Sequence, residues 1–355
     1  MRERPLTEAL HRRGLDAFWC TDPANRRYLS GFTGSAGALL IHASGQWLFT
    51  DSRYTAQAKQ EAAGFDVVEC AGGEAAARLA AACRDAGVRR LGFEEDVVPV
   101  VEYSRMRELL GGDIELIWAG DILQAMRSVK TQGEIERIRE AAAAADSVFE
   151  QICDFVKPGL RERDVALRID CLLREKCGAT AFETIAASGP NSAMPHAKPG
   201  ERKLRTGDAL VLDFGAVCGG YCSDMTRTIF IGAIDNTLKT VYNVVRNAQE
   251  TALAGIRADM ACRDADALAR SVVEAAGYGK NFGHGLGHGV GLDVHEAPRL
   301  SPASDGVLKE GMVVTVEPGV YVEGTGGVRI EDLCVVRKDG LENLTHAAKD
   351  IVIID

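Results

Sequence analysis

The chain has 355 residues, a net charge of −10 and a pI near 5.3, with 46% apolar and 26% charged residues. That length allows two domains, each with its own core, and the acidic balance without a basic face argues against nucleic acid or anionic membrane as a partner. No apolar run has the length of a signal peptide or a membrane span, which points to a cytoplasmic protein acting on small molecules or peptides.

The first 120 or so residues alternate short apolar runs (DAFWC, GALLIHA, QWLFT, FDVVEC, RRLGFE) with helical segments such as EAAARLAAACRDAG. This is the pattern of a small α/β domain, assigned to residues 1–124, and the remainder, 125–355, forms a second domain. Thr131 and Glu134 make a T-x-x-E capping box that opens a long helix, and Pro158-Gly159 stops it. Another helix follows at about 162–177, then a loop with SGPNSAMPHAKPG, an apolar run ALVLDFG and its return YCSDMTRTIFIG. Helices at about 236–256 and 263–276 lead to NFGHGLGHGVGLDVHEAP, MVVTVEPGVYV and GGVRIEDLCVV. The ten scattered cysteines are expected to be mostly reduced. Cys218 and Cys222, on an expected β-hairpin, are the one pair to test, and burial of small side chains explains them better than a metal or redox role.

The second domain repeats itself. Leu204 to Gly215 and Leu308 to Gly319 both read L-x-x-G-x5-[D/E]-x-G, and each follows an H-x-x-P, His196 to Pro199 and His295 to Pro298. An internal duplication with a pseudo-twofold would make Asp213 and Glu317 equivalent and set Asp224 and Glu331 opposite them. Chance similarity of two apolar strands is the competing reading.

Asp213 and Glu317 each end an apolar run, where an uncompensated carboxylate costs several kcal/mol. Arg227 and Arg329 could supply a buried ion-pair network. Four converging acids with a histidine are better compensated by divalent cations, which suits an oxygen-rich set with one nitrogen and no thiolate: Mn²⁺ or Co²⁺, with Zn²⁺ and Fe²⁺ as alternatives. The glycines between Gly283 and Gly291 make a helix unlikely to hold His284 and His288 together, so one is expected to ligate and the other to support it. Two bridged ions would lower the pKa of a shared water toward neutral.

The ordered set SGPNSAMPHAKP, GDALVLDFGA, YCSDMTRT, HGLGHGVGLDVHE, VEPGVY and VRIEDL resembles the creatinase/prolidase/aminopeptidase P group of pita-bread metallopeptidases. NRRYLSGFTGSAGALLI and WLFTDSRYTAQA look like its N-terminal domain, in the aminopeptidase P-like branch. The resemblance implies an α/β (α+β) protein with a creatinase/prolidase-like N-terminal domain and a pita-bread catalytic domain. It makes Asp213 a ligand of one metal, Asp224 and Glu331 bridging ligands, and His288 with Glu317 ligands of the other. Glu317 would also handle the proton of the water. His196 and His295 would contact substrate and stabilise the tetrahedral intermediate or shuttle its proton, and His284 would lie near the residue after the scissile bond. Arg329 and Tyr321 would line the proline pocket, with an ion pair and core packing as their respective structural alternatives. Cys218 departs from the larger residue expected there.

The expected activity is therefore hydrolysis of an N-terminal Xaa-Pro bond by a dinuclear Xaa-Pro aminopeptidase. An Xaa-Pro dipeptidase (prolidase) is the alternative, and a non-catalytic peptide-binding relative is a remote one. The extra N-terminal domain argues against a methionyl aminopeptidase, and the complete ligand set against a creatine-hydrolysing relative. A homodimer is expected, with Asp51 to Tyr54 reaching toward a neighbouring active site.

Overall fold

A computed structural model describes residues 3–355, and the chain divides into two compact units, Met1–Arg127 and Ser128–Asp355. The first unit continues past residue 124 because the helix Gly120–Ser128 carries Ile122 and Leu123 into its core. No helix among the described residues is long and apolar enough to cross a membrane.

The first unit is built on one mixed sheet of β1 (Ala17–Cys20), β2 (Ala38–His42), β3 (Gly45–Thr50), β4 (Asp66–Glu69), β5 (Arg90–Phe93) and β6 (Glu115–Trp118), in the order β4-β3-β2-β1-β5-β6. Side chains alternate between faces along a strand. Phe18, Cys20, Leu39, Ile41 and Leu48 accordingly join one core cluster, and Ala17, Trp19, Leu40, Phe49 and Leu91 another. Both faces must therefore be covered, which accounts for the near-continuous apolar runs of β1 and β2.

The second unit opens with α1 (Gln132–Phe155), capped by Thr131 and Glu134: the Thr131 amide donates to Glu134 Oε2 at 2.9 Å. Its buried stripe, Ile135, Ile138, Ala142, Ala145, Phe149 and Ile152, recurs at helical spacing. Next come α2 (Glu162–Cys177), β7 (Ile185–Ser188), β8 (Ala209–Phe214) and β9 (Met225–Ile231). The second half repeats the order with α3 (Asn236–Gly255), α4 (Cys262–Ala275), β10 (Gly287–Gly289), β11 (Val313–Val316) and β12 (Asp332–Arg337). One sheet runs β7-β8-β9, with Ile353–Ile354 beyond β9, and the other runs β10-β11-β12 between the strands Glu296–Leu300 and Gly340–Asn343.

The duplication extends to individual hydrogen bonds. Between the helices of the first half, the Gly159 amide donates to Leu204 O (2.9 Å) and the Leu204 amide to Leu160 O (2.8 Å). Asp259 to Leu308 O (2.8 Å) and Leu308 to Met260 O (2.9 Å) reproduce them in the second. Even the left-handed backbone recurs, at φ 91° for Gly159 and 65° for Asp259.

Cys218 is bonded to Cys177 at the end of α2, with Cα atoms 5.0 Å apart, which corrects the expectation that burial of a small side chain accounts for it. In the hairpin Val217 lies opposite Cys222 and Cys218 opposite Tyr221, so Cys218 and Cys222 point to opposite faces. Val217 also pairs with Ala179, which brings Cys218 beside the end of α2.

Candidate metal centre

The four acids arise at equivalent places of the two halves. Asp213 is near the end of β8 and Glu317 follows β11, while Asp224 and Glu331 immediately precede the return strands β9 and β12. Antiparallel pairing, with Asp213 opposite Thr226 and Val316 opposite Asp332, turns these sequence-distant positions toward one another.

His288 is the centre of β10. A Cβ at Gly287 would collide with the Thr315 carbonyl, and one at Gly289 with the Ala297 carbonyl, so only glycine permits this packing. The close approach lets the His288 amide donate to Thr315 Oγ1 (3.0 Å), and that hydroxyl donates in turn to Glu317 Oε1 (3.0 Å). His288 Nε2 lies 3.2 Å from Glu317 Oε1 and 3.6 Å from Asp224 Oδ2. Ligand atoms of Asp224, His288 and Glu331 all fall within 4.8 Å of one another. Asp213 instead pairs with Arg329, whose Nε donates to Thr226 Oγ1 (3.0 Å) and Nη1 to Tyr321 Oη (2.7 Å). The Thr226 hydroxyl in turn donates a hydrogen bond to Glu331 Oε2 (2.6 Å). Arg227 is not part of this balance: it pairs with Asp332 (2.7 Å) and holds the Glu331 carbonyl (2.6 Å).

Burial, and after it the charges of Glu331, Asp213 and Glu317, pushes Asp224 well above the usual carboxylate range. Burial together with Glu317 and Asp213 does the same to Glu331. Burial works against protonated His288, but the hydrogen bond and charge of Glu317 outweigh it and raise its pKa. Glu317 is held down to about 2, burial being overcome by the His288 hydrogen bond and by the charges of His288, His284 and Arg329.

The site is thus short of positive charge. Asp213 Oδ1 and Glu331 Oε1 are buried with no hydrogen-bond donor, a costly state that cation coordination would relieve. The donor set, four carboxylates and an imidazole, fits hard or borderline divalent ions.

A cavity of about 500 Å³ adjoins the acids, lined also by His196, His284, His295, Arg299 and Arg329. His196 and His295 are exposed into it, and the His295 ring stacks edge-on against His288 with centroids 4.4 Å apart. Burial, then His288, Arg299 and His196, lowers the His295 pKa; burial chiefly lowers that of His284. Both shifts favour the neutral imidazole. Tyr321 is not on the cavity wall: its hydroxyl lies between His284 Nε2 (3.1 Å) and Arg329. Arg329 reaches the wall, but its guanidinium is bound to Asp213, Thr226, Tyr321 and the Pro195 carbonyl.

Sequence reasoning passed over Arg299, which lies opposite His288 in the pairing of β10 with Glu296–Leu300. Cross-strand partners share a face. Arg299 is exposed and makes no ion pair among the described residues. The period-2 alternation of HEAPRL could have suggested that it faces the site.

The profile of metallopeptidase family M24 matches residues 136–338, and that of the creatinase/prolidase N-terminal domain residues 2–129. An uncharacterised peptidase of Bacillus subtilis is 40% identical over 355 residues, all of both chains. Among solved structures, an Xaa-Pro dipeptidase from Bacillus anthracis is 41% identical with a TM-score of 0.96, covering 99% of each chain. An X-Pro aminopeptidase from Thermotoga maritima is 38% identical with a TM-score of 0.91, covering 100% of each. The chain belongs to metallopeptidase family M24, with a creatinase/prolidase N-terminal domain. It is a hydrolase of peptide bonds that uses divalent metal.

Proposed function

We propose that the protein is an Xaa-Pro dipeptidase holding two divalent ions, Mn²⁺ foremost, on Asp213, Asp224, His288, Glu317 and Glu331. This departs from the aminopeptidase reading favoured by the sequence motifs. The observation that carries it is Arg299, an exposed guanidinium on the strand next to His288, inside the same cavity as the acids. A dipeptide spanning from the acids to Arg299 would present its C-terminal carboxylate to that fork, a charge-assisted pairing a longer peptide could not make in the same place. The similarity to the B. anthracis dipeptidase supports the same reading.

The ions would polarise the scissile carbonyl and acidify a water. Glu317, ionised and within hydrogen-bond reach of His288, would be the base that takes the water's proton. His196 and His295 present imidazole N–H groups to the developing oxyanion. A homodimer formed through the N-terminal unit belongs to this reading, and sedimentation of the full chain beside a fragment lacking residues 1–124 tests it.

The deciding experiment restores Mn²⁺, Co²⁺ or Zn²⁺ to metal-free protein and follows release of the first residue from Ala-Pro, Ala-Pro-Ala and Ala-Ala-Ala. Metal-dependent cleavage of Ala-Pro alone is the expected result. Comparable cleavage of Ala-Pro-Ala would return the assignment to an aminopeptidase.

A further inference from the structure

The loop that carries His284 is intrinsically loose. Every second residue from Gly283 to Gly291 is glycine, so the segment has few side chains of its own to pin it and a large entropy to lose on ordering. Helix α4 supplies what the loop lacks. One turn apart on it lie Asp266, whose side chain is 1% exposed, and Arg270. Asp266 accepts from Arg270 Nε (2.6 Å) and Nη2 (2.9 Å) and from the Leu286 amide (2.9 Å). Arg270 donates from Nη1 to the Phe282 carbonyl (3.0 Å) and from Nη2 to the His284 carbonyl (2.7 Å). Its guanidinium also lies 4.3 Å from the Phe282 ring centroid.

The pair thereby fixes backbone groups of residues 282, 284 and 286, alternate positions along the loop. What lies beyond them is the site. The His284 ring packs edge-on against Phe282, with centroids 5.0 Å apart, and meets Tyr321 Oη. The Leu286 carbonyl accepts from the Glu317 amide (2.8 Å). In the other half the corresponding contact is one hydrogen bond, Thr184 Oγ1 to Asp170 on α2 (2.6 Å), serving a short loop (181–184) that contains no glycine. A buried ion pair adds little net stability by itself but strongly specifies geometry when all its donors are used.

We infer that Arg270, oriented by Asp266, is a positioning residue that fixes His284 for its work on the substrate. It touches neither substrate nor metal and acts through the backbone of residues 282–286. The inference rests on the reading of His284 as a substrate-facing group. Lysine cannot replace it, because one ammonium cannot hold two carbonyls and a carboxylate in a planar fork.

The test is a cycle of Arg270→Gln and His284→Ala in the full-length, Mn²⁺-loaded enzyme, reading kcat, KM and bound metal with Ala-Pro. Arg270→Gln should lower kcat by about tenfold to a hundredfold, with metal content unchanged and KM moved far less. In the His284→Ala background the same substitution should have no further effect, and Arg270→Lys should not restore kcat. Equal losses from Arg270→Gln in both backgrounds, or a wild-type kcat in Arg270→Gln, would overturn the inference. A His284→Ala enzyme of undiminished activity would instead remove the role assigned to His284, and the inference with it. Should Arg270→Gln fail to fold, Arg270→Lys and Asp266→Asn carry the same cycle.

Discussion

Asp213 and Arg329 form a buried ion pair at the edge of the metal centre, while the neighbouring Asp224, 3.6 Å from His288, sits among carboxylates whose charges outweigh that of Arg329. Burial raises the Asp213 pKa too, but Arg329 opposes that rise at hydrogen-bond range, so amidation should act differently at the two aspartates in metal-free protein. Asp213→Asn leaves a buried guanidinium without its counter-charge and should cost about 3–5 kcal/mol. Asp224 has a folded pKa raised above its unfolded value, so its ionisation is a penalty that accumulates as pH rises from the ordinary carboxylate value to the raised one and is complete above it. Asp224→Asn removes that penalty, so metal-free Asp224→Asn should melt above wild type at neutral pH, with the gain vanishing in acid. Adding Mn²⁺ should reverse the order, because wild type alone retains the full ligand set. Thermal unfolding with and without chelator reads both signs.

Replacing Arg299 by alanine should fall on substrate binding. A hydrogen bond to a charged group contributes about 1.5–3 kcal/mol, so kcat/KM for Ala-Pro should drop about tenfold to a hundredfold, mainly through KM. Ala-Pro amide should be a poor substrate of wild type and indifferent to the substitution. Equal sensitivity of the amide to Arg299→Ala would show that the guanidinium does not read the carboxylate.

Gly159 and Asp259 hold the same left-handed turn in the two halves, yet only one is glycine. Nothing lies within 4 Å of where a Gly159 side chain would begin. Gly159→Ala should therefore cost about 1–2 kcal/mol from backbone conformation alone. Asp259→Gly should be nearly neutral, since Asp tolerates this region and glycine has more entropy to lose. Denaturant midpoints at unchanged m-value would measure both.

The cysteines offer a chemical count. With Cys177 bonded to Cys218, unfolded but unreduced protein should titrate eight thiols, and reduction should release the remaining two of ten. In the native state Cys171, the exposed one, should react first with a disulfide reagent. Burial pushes the Cys83 thiol up to about 12 and Cys153 to about 11, so both should stay unreactive at neutral pH. Ten thiols without reductant would contradict the pairing.

The sequence by itself determined the family and the duplicated order of helices and strands, and it marked the acids and histidines that the fold brings together, because each is written locally. Thr131 and Glu134 cap their helix within one turn, buried strands are apolar runs, and Asp213 and Glu317 stand out as acids at the ends of such runs. What it left open depended on contacts between segments far apart in the chain. Cys218 meets Cys177 because β-pairing sets which face each residue takes, and Tyr321 falls behind His284 rather than on the cavity wall. Arg299 reaches the site only through its pairing with His288, and Asp266 and Arg270 lie on an ordinary amphipathic helix until the folded chain brings the glycine-rich loop against them. Tertiary structure alone decided these relationships, since a side chain's pattern in sequence fixes which face it takes while the partner on that face is set by how distant segments pack.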